Sequence, residues 1–433
     1  MATGSKSSKV YAYRWYALTI FSLASAIQNF VWNTWGPIAV SAEQVYGWDD
    51  ATIALMSNWG PIAFIFSTPF LTWLMDEKGM RRTLLLSSFL LMLGSGLRCI
   101  PVDPSNKTLL IHLGQLLNGI PGPVVMGGAP LISATWFPVH QRTTATAIAS
   151  VSGGIGVALS FVFGPYLVKD HNAHSEVAED LDAGIVRMQT EIEQYLFIAF
   201  VVCGIYFLLV VFTFRNKPRH PPSLTASYEK LDYKSGIFAL LRNERFWQVA
   251  FVYGISLGIY LCYMPVLEVM LKEKKISQEE SGLLGFYSSI AGNVAALVLA
   301  RFADYFRRRM RLYILTLYTT AFISFLIFSM AYQGWWFTFT KDLMYLTQTL
   351  GSVCLWAGVP LLFELSCEVT YPVAEGITVG IVTWLSNLAG LIFLFIMMVP
   401  NIGTSWMNWC LTLVVAACIP LLAFFKEKFS RPD

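Results

Sequence analysis

Charged residues are scarce in this sequence. Only 13% of its 433 residues are Asp, Glu, Lys or Arg, whereas 55% are hydrophobic and the mean hydropathy is +0.56. Ordinary soluble domains have about 25% charged residues. The composition therefore excludes a typical soluble domain and favours a protein of the lipid bilayer.

Residues that could carry an enzymatic reaction are also few. The seven Cys form no spaced pair of metal ligands, and no nucleophile lies beside a base. A metal site at His171 and His174 is the disfavoured alternative to a solvated acidic loop. The sequence has no Gly-x-x-x-x-Gly-Lys-[Ser/Thr], which disfavours an ATP-driven pump. We expect no enzymatic activity, no metal, no cofactor, no structural disulfide and no nucleic-acid partner.

The chain is rich in long apolar runs. About 20 apolar residues cross a bilayer as a helix, and twelve such runs are present: 15–41, 52–75, 83–101, 109–135, 143–168, 195–214, 246–271, 281–300, 311–331, 343–365, 376–399 and 405–425. Lipid offers no hydrogen-bond partner to unpaired backbone groups, so a spanning segment must be a helix or part of a closed barrel. These runs are too long and uniform for barrel strands. They predict an all-α membrane protein with twelve transmembrane helices, its surface in contact with membrane lipid.

A polar, proline-containing stretch at 215–245 divides the chain. It separates an N-terminal half, 1–214, from a C-terminal half, 246–433, with six spans in each. The charged turn Asp76–Arg82 follows the second span of the first half, and a similar turn, Asp304–Arg309, follows the second span of the other. The spacing predicts two six-helix repeats.

The distribution of basic residues predicts the orientation. We place 22 of the 30 Lys and Arg on the side that carries both termini and seven on the opposite side, with Arg98 at a membrane edge. The positive-inside rule makes the side with the termini cytoplasmic.

The two charged turns suit a gate, although a plain positively charged loop is the alternative. Gly79 permits a tight turn, and Arg81 and Arg82 can pair with Asp76 or cap carbonyls of the other half. Pairs that hold one conformation and release in another are what alternating access requires. We expect these residues to act in gating: Asp76, Gly79, Arg81, Arg82, Arg142, Arg301, Asp304, Arg308 and Glu375.

The spacing Asp-x-x-Gly-x-Arg-Arg at Asp76–Arg82, echoed by the charged turn Asp304–Arg309 in the second half, resembles the signature of the major facilitator superfamily. The resemblance implies a cavity lined by spans one, four, five, seven, ten and eleven. In span one, Gln28, Trp32 and Trp35 share a helical face ahead of the helix-breaking pair Gly36-Pro37. The expected substrate-binding residues are Gln28, Trp32, Trp35, Gln115, Asn118, Tyr260, Tyr263, Trp384 and Asn387.

Aromatic faces with a few amides favour a small, flat or cationic organic solute. A carboxylate or phosphate substrate would require an Arg in mid-cavity. Three ionisable residues are candidates for proton coupling, namely Glu364, His112 and Glu268. Structural hydrogen bonding or an interfacial position is the alternative for each of them.

Several strings narrow the resemblance, among them Val31–Ile38, Gly96–Pro101 and Tyr371–Thr378. They resemble solute carrier family 49 over about residues 11–425. The resemblance implies a monomeric, proton-driven transporter that exports pyridoxine from the lysosome, with the plasma membrane as the second location. Relatives carry choline and ethanolamine and were first linked to heme. Phe30-Val31-Trp32 matches the motif of the choline carriers, which makes Trp32 a ligand-stacking candidate.

The sequence leaves other activities open. A choline or ethanolamine facilitator is the second hypothesis, and a heme transporter is the third, weakened because every His lies at a span end or in a loop. A membrane receptor or scaffold without transport activity is an alternative of a different class.

Overall fold

The computed structural model is helical throughout the residues it describes, which are 11–102, 104–171, 178–218, 233–306, 310–370, 373, 375–399 and 402–425. The first helices are α1 (Tyr13–Trp32), a 3₁₀ helix (Gly36–Ile38), α2 (Ala39–Tyr46), α3 (Asp50–Trp73), α4 (Met80–Cys99), α5 (Pro104–Gly119), α6 (Gly122–Trp136), α7 (Val139–Leu167) and α8 (Ala178–Thr213). They are followed by α9 (Tyr233–Leu241), α10 (Glu244–Lys272), α11 (Gln278–Phe306), α12 (Met310–Tyr332), α13 (Lys341–Thr370), α14 (Glu375–Met397) and α15 (Trp406–Ala423).

Nine segments of the described residues are long and apolar enough to cross a membrane, with α5 and α6 counted as one. Together with the long helices α1, α3 and α4 they agree with the twelve predicted spans. We call α1–α8 the first helix set and α10–α15 the second.

Two spans are broken where the sequence contains proline. After α1 the chain turns before the 3₁₀ helix, since Pro37 has no N–H to continue the ladder. Pro121 separates α5 from α6 in the same way. The breaks leave backbone carbonyls in mid-span that side chains must satisfy.

The two helix sets pack against each other through α3 with α14, α7 with α11, and the 3₁₀ helix with α10. Glycine makes these approaches possible. A Cβ on Gly36 would overlap the carbonyl of Pro265, and a Cβ on Gly282 would lie 2.5 Å from the carbonyl oxygen of Phe161. The central part of the molecule is therefore closely packed rather than an open channel.

Candidate functional site: a cavity between the helix sets

A small cavity lies where the two sets meet. Its volume is about 20 Å³, room for about one water molecule. The lining residues come from α1, α3, α5, α6 and α14: Gln28, Asn29, Trp32, Gly60, Phe64, Gly119, Gly122, Val125, Met126 and Asn387. None of these residues is charged. Three of the predicted binding residues, Gln28, Trp32 and Asn387, thus lie around one cavity.

Trp32 is fixed by partners on two neighbouring helices. Its indole Nε1 donates to the Ser57 carbonyl oxygen at 3.3 Å. Its own backbone carbonyl, freed by the break after α1, accepts from Gln115 Nε2 at 2.9 Å. The same nitrogen donates to the Met56 carbonyl at 3.2 Å. Gln115 therefore holds Trp32 from behind the cavity wall rather than lining the cavity.

The three amide side chains on the wall, Gln28, Asn29 and Asn387, use their nitrogens in hydrogen bonds to backbone carbonyls. Gln28 Nε2 donates to the Asn118 carbonyl at 3.3 Å, Asn29 Nδ2 to the Ser25 carbonyl at 2.8 Å, and Asn387 Nδ2 to that of Thr383 at 2.9 Å. Each of these bonds uses one of the two N–H donors of its amide, and no hydrogen bond between described residues ends on the three amide oxygens. The wall can therefore accept hydrogen bonds from a solute. The side chain of Asn118 lies fully buried behind this wall.

Four predicted aromatic residues do not line the cavity. Trp35 is buried and packs on Trp48, with ring centroids 4.9 Å apart. Tyr260 is buried near Phe325, and Trp384 is 37% exposed away from the wall. The fourth is Tyr263.

Tyr263 belongs to a hydrogen-bonded network inside the second set. Its hydroxyl donates to Asn408 Oδ1 at 2.7 Å and accepts from Gln348 Nε2 at 3.0 Å. These bonds tie α10 to α15 and α13. In this conformation Tyr263 is packed inside the second helix set and does not line the cavity.

The three proton-coupling candidates have different surroundings. Glu268 is buried in α10, and its Oε1 accepts from the backbone N–H of Val40 at 3.2 Å, whereas its Oε2 is buried without a partner. His112 is half-buried, and its Nδ1 accepts from Trp59 Nε1 at 2.9 Å. Glu364 is half-buried in α13 and has an interaction partner. The bond of Glu268 joins the two helix sets, since Val40 lies in α2 and Glu268 in α10.

Further polar contacts join the helix sets at the end of the bundle where Glu268 meets α2. We call this end the distal end (residues 39–46). Gln278 Oε1 accepts from the backbone N–H and the hydroxyl of Ser41, at 3.2 and 3.1 Å, and its Nε2 donates to the Val168 carbonyl at 2.9 Å. Lys272 forms an ion pair with Glu43. The sequence did not reveal this contact, because its partners come from four separate helices: α2, the ends of α7 and α10, and the start of α11.

The charged turn after α3 is held from outside. Gly79 has φ +82°, a conformation that favours glycine, and begins α4 without a capping side chain. Asn216, which follows α8, supplies the cap, since its Oδ1 accepts from the backbone N–H of Arg81 at 3.1 Å. Arg81 also donates to the Val211 carbonyl at 3.4 Å, and Arg82 is exposed.

The structure describes no side chain for the remaining gating residues. Arg308 lies outside the described residues altogether. For the others only the backbone is described, in or beside helices: Asp76, Arg142, Arg301, Asp304 and Glu375. Their role stays a prediction.

The sequence matches known proteins over nearly its whole length. Residues 20–394 match the family model of the Major Facilitator Superfamily. The chain is 38% identical to the solute carrier family 49 member 4 homolog of Xenopus tropicalis, over 99% of this chain and 94% of the relative. It is 28% identical to the choline/ethanolamine transporter FLVCR1 of Mus musculus, over 88% and 68% of the two chains.

Two groups of solved structures share the fold. A bacterial homologue of the human lysosomal transporter Spinster, inward-facing and occupied, has a TM-score of 0.65 at 13% identity, covering 96% of this chain and 97% of that one. A single-residue variant of the fucose:proton symporter FucP of E. coli has a TM-score of 0.62 at 13% identity, covering 95% and 100%. On the evidence of the sequence match, the helical architecture and these folds, the chain belongs to the Major Facilitator Superfamily and, within it, to solute carrier family 49.

Proposed function

We propose that this transporter carries a small, uncharged or cationic ring solute of the pyridoxine type by proton-coupled alternating access. The observation that supports this most is the wall of the cavity, which offers an indole face and three amide oxygens but no charged side chain. A flat ring can stack on Trp32, and hydroxyl or N–H groups of the solute can donate to the amides. A free carboxylate or phosphate would find no basic partner on this wall.

Glu268 is our candidate for the coupling group. It lies where α10 meets the start of α2, so its bond to Val40 would break when the distal end opens. Asp170 and Lys272 are the charged groups whose fields act on it, and one of its carboxylate oxygens is unpartnered. A proton on Glu268 would neutralise the carboxylate that accepts this hydrogen bond. The bond would then be weaker and the distal end would open more readily, which couples protonation to opening.

We place both termini and the Asp76 turn in the cytoplasm, as the distribution of basic residues predicts. The distal end would then face the lysosomal lumen, or the outside if the protein resides in the plasma membrane. Residues 1–214 and 246–433 would move against each other as two halves, joined by 215–245. Export from an acidic lumen would use the proton gradient in its downhill direction.

Facilitated transport of choline or ethanolamine is the second candidate. The named activity of the FLVCR1 relative supports it, and Trp32 could attract a quaternary ammonium group by about 0.5–2 kcal/mol. Of the aromatic residues expected from the sequence, however, only Trp32 lies on the wall, joined by Phe64. A cage of several rings, which suits such a cation, is absent from the described wall.

Uptake into proteoliposomes tests both. The purified chain would be assayed with labelled pyridoxine, with and without an imposed proton gradient, and with choline as competitor. We expect saturable uptake that the gradient drives and choline does not inhibit. Choline entry that is independent of the gradient, without pyridoxine uptake, would replace the first candidate with the second.

A further inference from the structure

Arg98 is a buried cation outside the cavity. It lies in the last turn of α4 and is only 1% exposed. The aliphatic part of its side chain packs against α5 at Gly114. A Cβ on Gly114 would lie 2.8 Å from both Cγ and Nε of Arg98. The glycine makes room for the guanidinium inside the first helix set, away from lipid and from the substrate wall.

Among the residues that the structure describes, no carboxylate pairs with the guanidinium. Its Nε and Nη2 are buried without hydrogen-bond partners. The titratable groups that interact electrostatically with it are Cys203, Tyr195 and Cys99, two thiols and a phenol rather than carboxylates. The hydroxyl of Tyr195 is likewise buried without a partner in hydrogen-bonding geometry, although the Thr34 hydroxyl lies close to it. Unused donors therefore outnumber acceptors at this place, beside a positive charge.

An unpaired buried guanidinium is strongly unfavourable, and arginine does not lose its proton in proteins. A negative charge must therefore enter with it. We infer that Arg98 and Tyr195 hold a small monatomic anion, of the chloride class, within the first helix set. The surroundings offer N–H and O–H donors, which such an ion accepts. Because Arg98 is only 1% exposed and its side chain lies against Gly114, the smallest anions suit this place better than a phosphate or an organic acid. The ion stabilises the first helix set, whichever solute the transporter carries.

Thermal unfolding of the full-length protein in detergent tests the inference. Replacing chloride by gluconate should lower the unfolding temperature by about 2 °C or more, and bromide should restore it. Arg98→Gln should abolish this dependence on halide. Arg82→Gln, an exposed arginine on the same helix, is the matched control and should retain it.

Tyr195→Phe tests the site with less risk to folding, since it removes a single donor. The chloride concentration that gives half of the stabilisation should rise about tenfold or more, the value of one hydrogen bond to a charged group. Equal unfolding temperatures of the wild type in chloride and gluconate would overturn the inference. A halide effect of unchanged midpoint in Tyr195→Phe would also overturn it, by placing the ion elsewhere.

Discussion

The indole of Trp32 occupies the space that a side chain at Gly60 would need. A Cβ on Gly60 would lie 2.5 Å from Cε2 and 2.8 Å from Cζ2 of Trp32. Because Ser57 and Gln115 fix the indole and the carbonyl of Trp32, the ring cannot move aside without breaking a hydrogen bond. Gly60 is therefore a determinant of how the ring faces the cavity.

Gly60→Ala should displace the indole and weaken solute binding by about two- to thirtyfold, the range of one aromatic contact. Binding of labelled pyridoxine to the purified protein measures it. Gly204→Ala, where a Cβ would meet nothing within 4 Å, is the control. In a Trp32→Phe background the effect of Gly60→Ala should shrink, because the smaller ring leaves space. Equal effects of Gly60→Ala in both backgrounds would show that Gly60 does not act through Trp32.

Glu268→Gln should flatten the pH dependence of transport. The amide oxygen can still accept from the N–H of Val40, so the fold should persist, whereas no proton can be taken up. Gradient-driven uptake in proteoliposomes should fall to the level without a gradient, while exchange of solute at equal pH continues. An unaltered pH profile would assign the coupling to Glu364 or His112 instead.

Gln278→Leu should loosen the distal contact, because it removes the bonds to Ser41 and Val168. The distal-open state should become more populated, by about five- to thirtyfold if the bonds contribute about 1–2 kcal/mol together. Maleimide labelling of a cysteine placed at Ala42, which is buried in this conformation, reports it. Gln44→Leu breaks a bond at the same end but within the first helix set, to Asp170, and should leave the labelling rate unchanged.

Asn216→Leu should destabilise the start of α4 by about 1 kcal/mol, since it removes the cap on Arg81 that Gly79 cannot provide. Asn216→Asp keeps the acceptor oxygen and should restore stability. Thermal unfolding of the two variants measures the difference. Equal losses in both would mean that the amide nitrogen of Asn216 is what matters.

The architecture could be predicted from the sequence because it depends on the length and position of apolar runs. Twelve runs, a break at Gly36-Pro37 and the turn at Gly79 are properties of local composition, and the structure contains the corresponding helices and breaks. The positions of Gln28 and Trp32 on the cavity wall could be predicted in the same way, since polar and aromatic residues share one face of the first span.

Contacts between distant residues could not be predicted. Gly60 and Asn216 act through partners 28 and 135 positions away, Trp32 and Arg81. One signal for Gly60 was present, since Gly60-Pro61 repeats the Gly-Pro pair that breaks span one. The shared helical face of Trp32 and Trp35 did not predict the position of Trp35. The helix ends between the two residues, and Trp35 packs on Trp48 instead of lining the cavity.

The cavity of about 20 Å³ is smaller than any organic solute. A ring solute can therefore enter only a wider conformation, and its apparent dissociation constant is the intrinsic one divided by the fraction of molecules that are open. Affinity then becomes a property of the whole helix bundle as well as of its wall. Two variants with identical walls can differ in affinity solely because one of them opens more often, and lipid or temperature can change the measured value without touching a single contact to the solute.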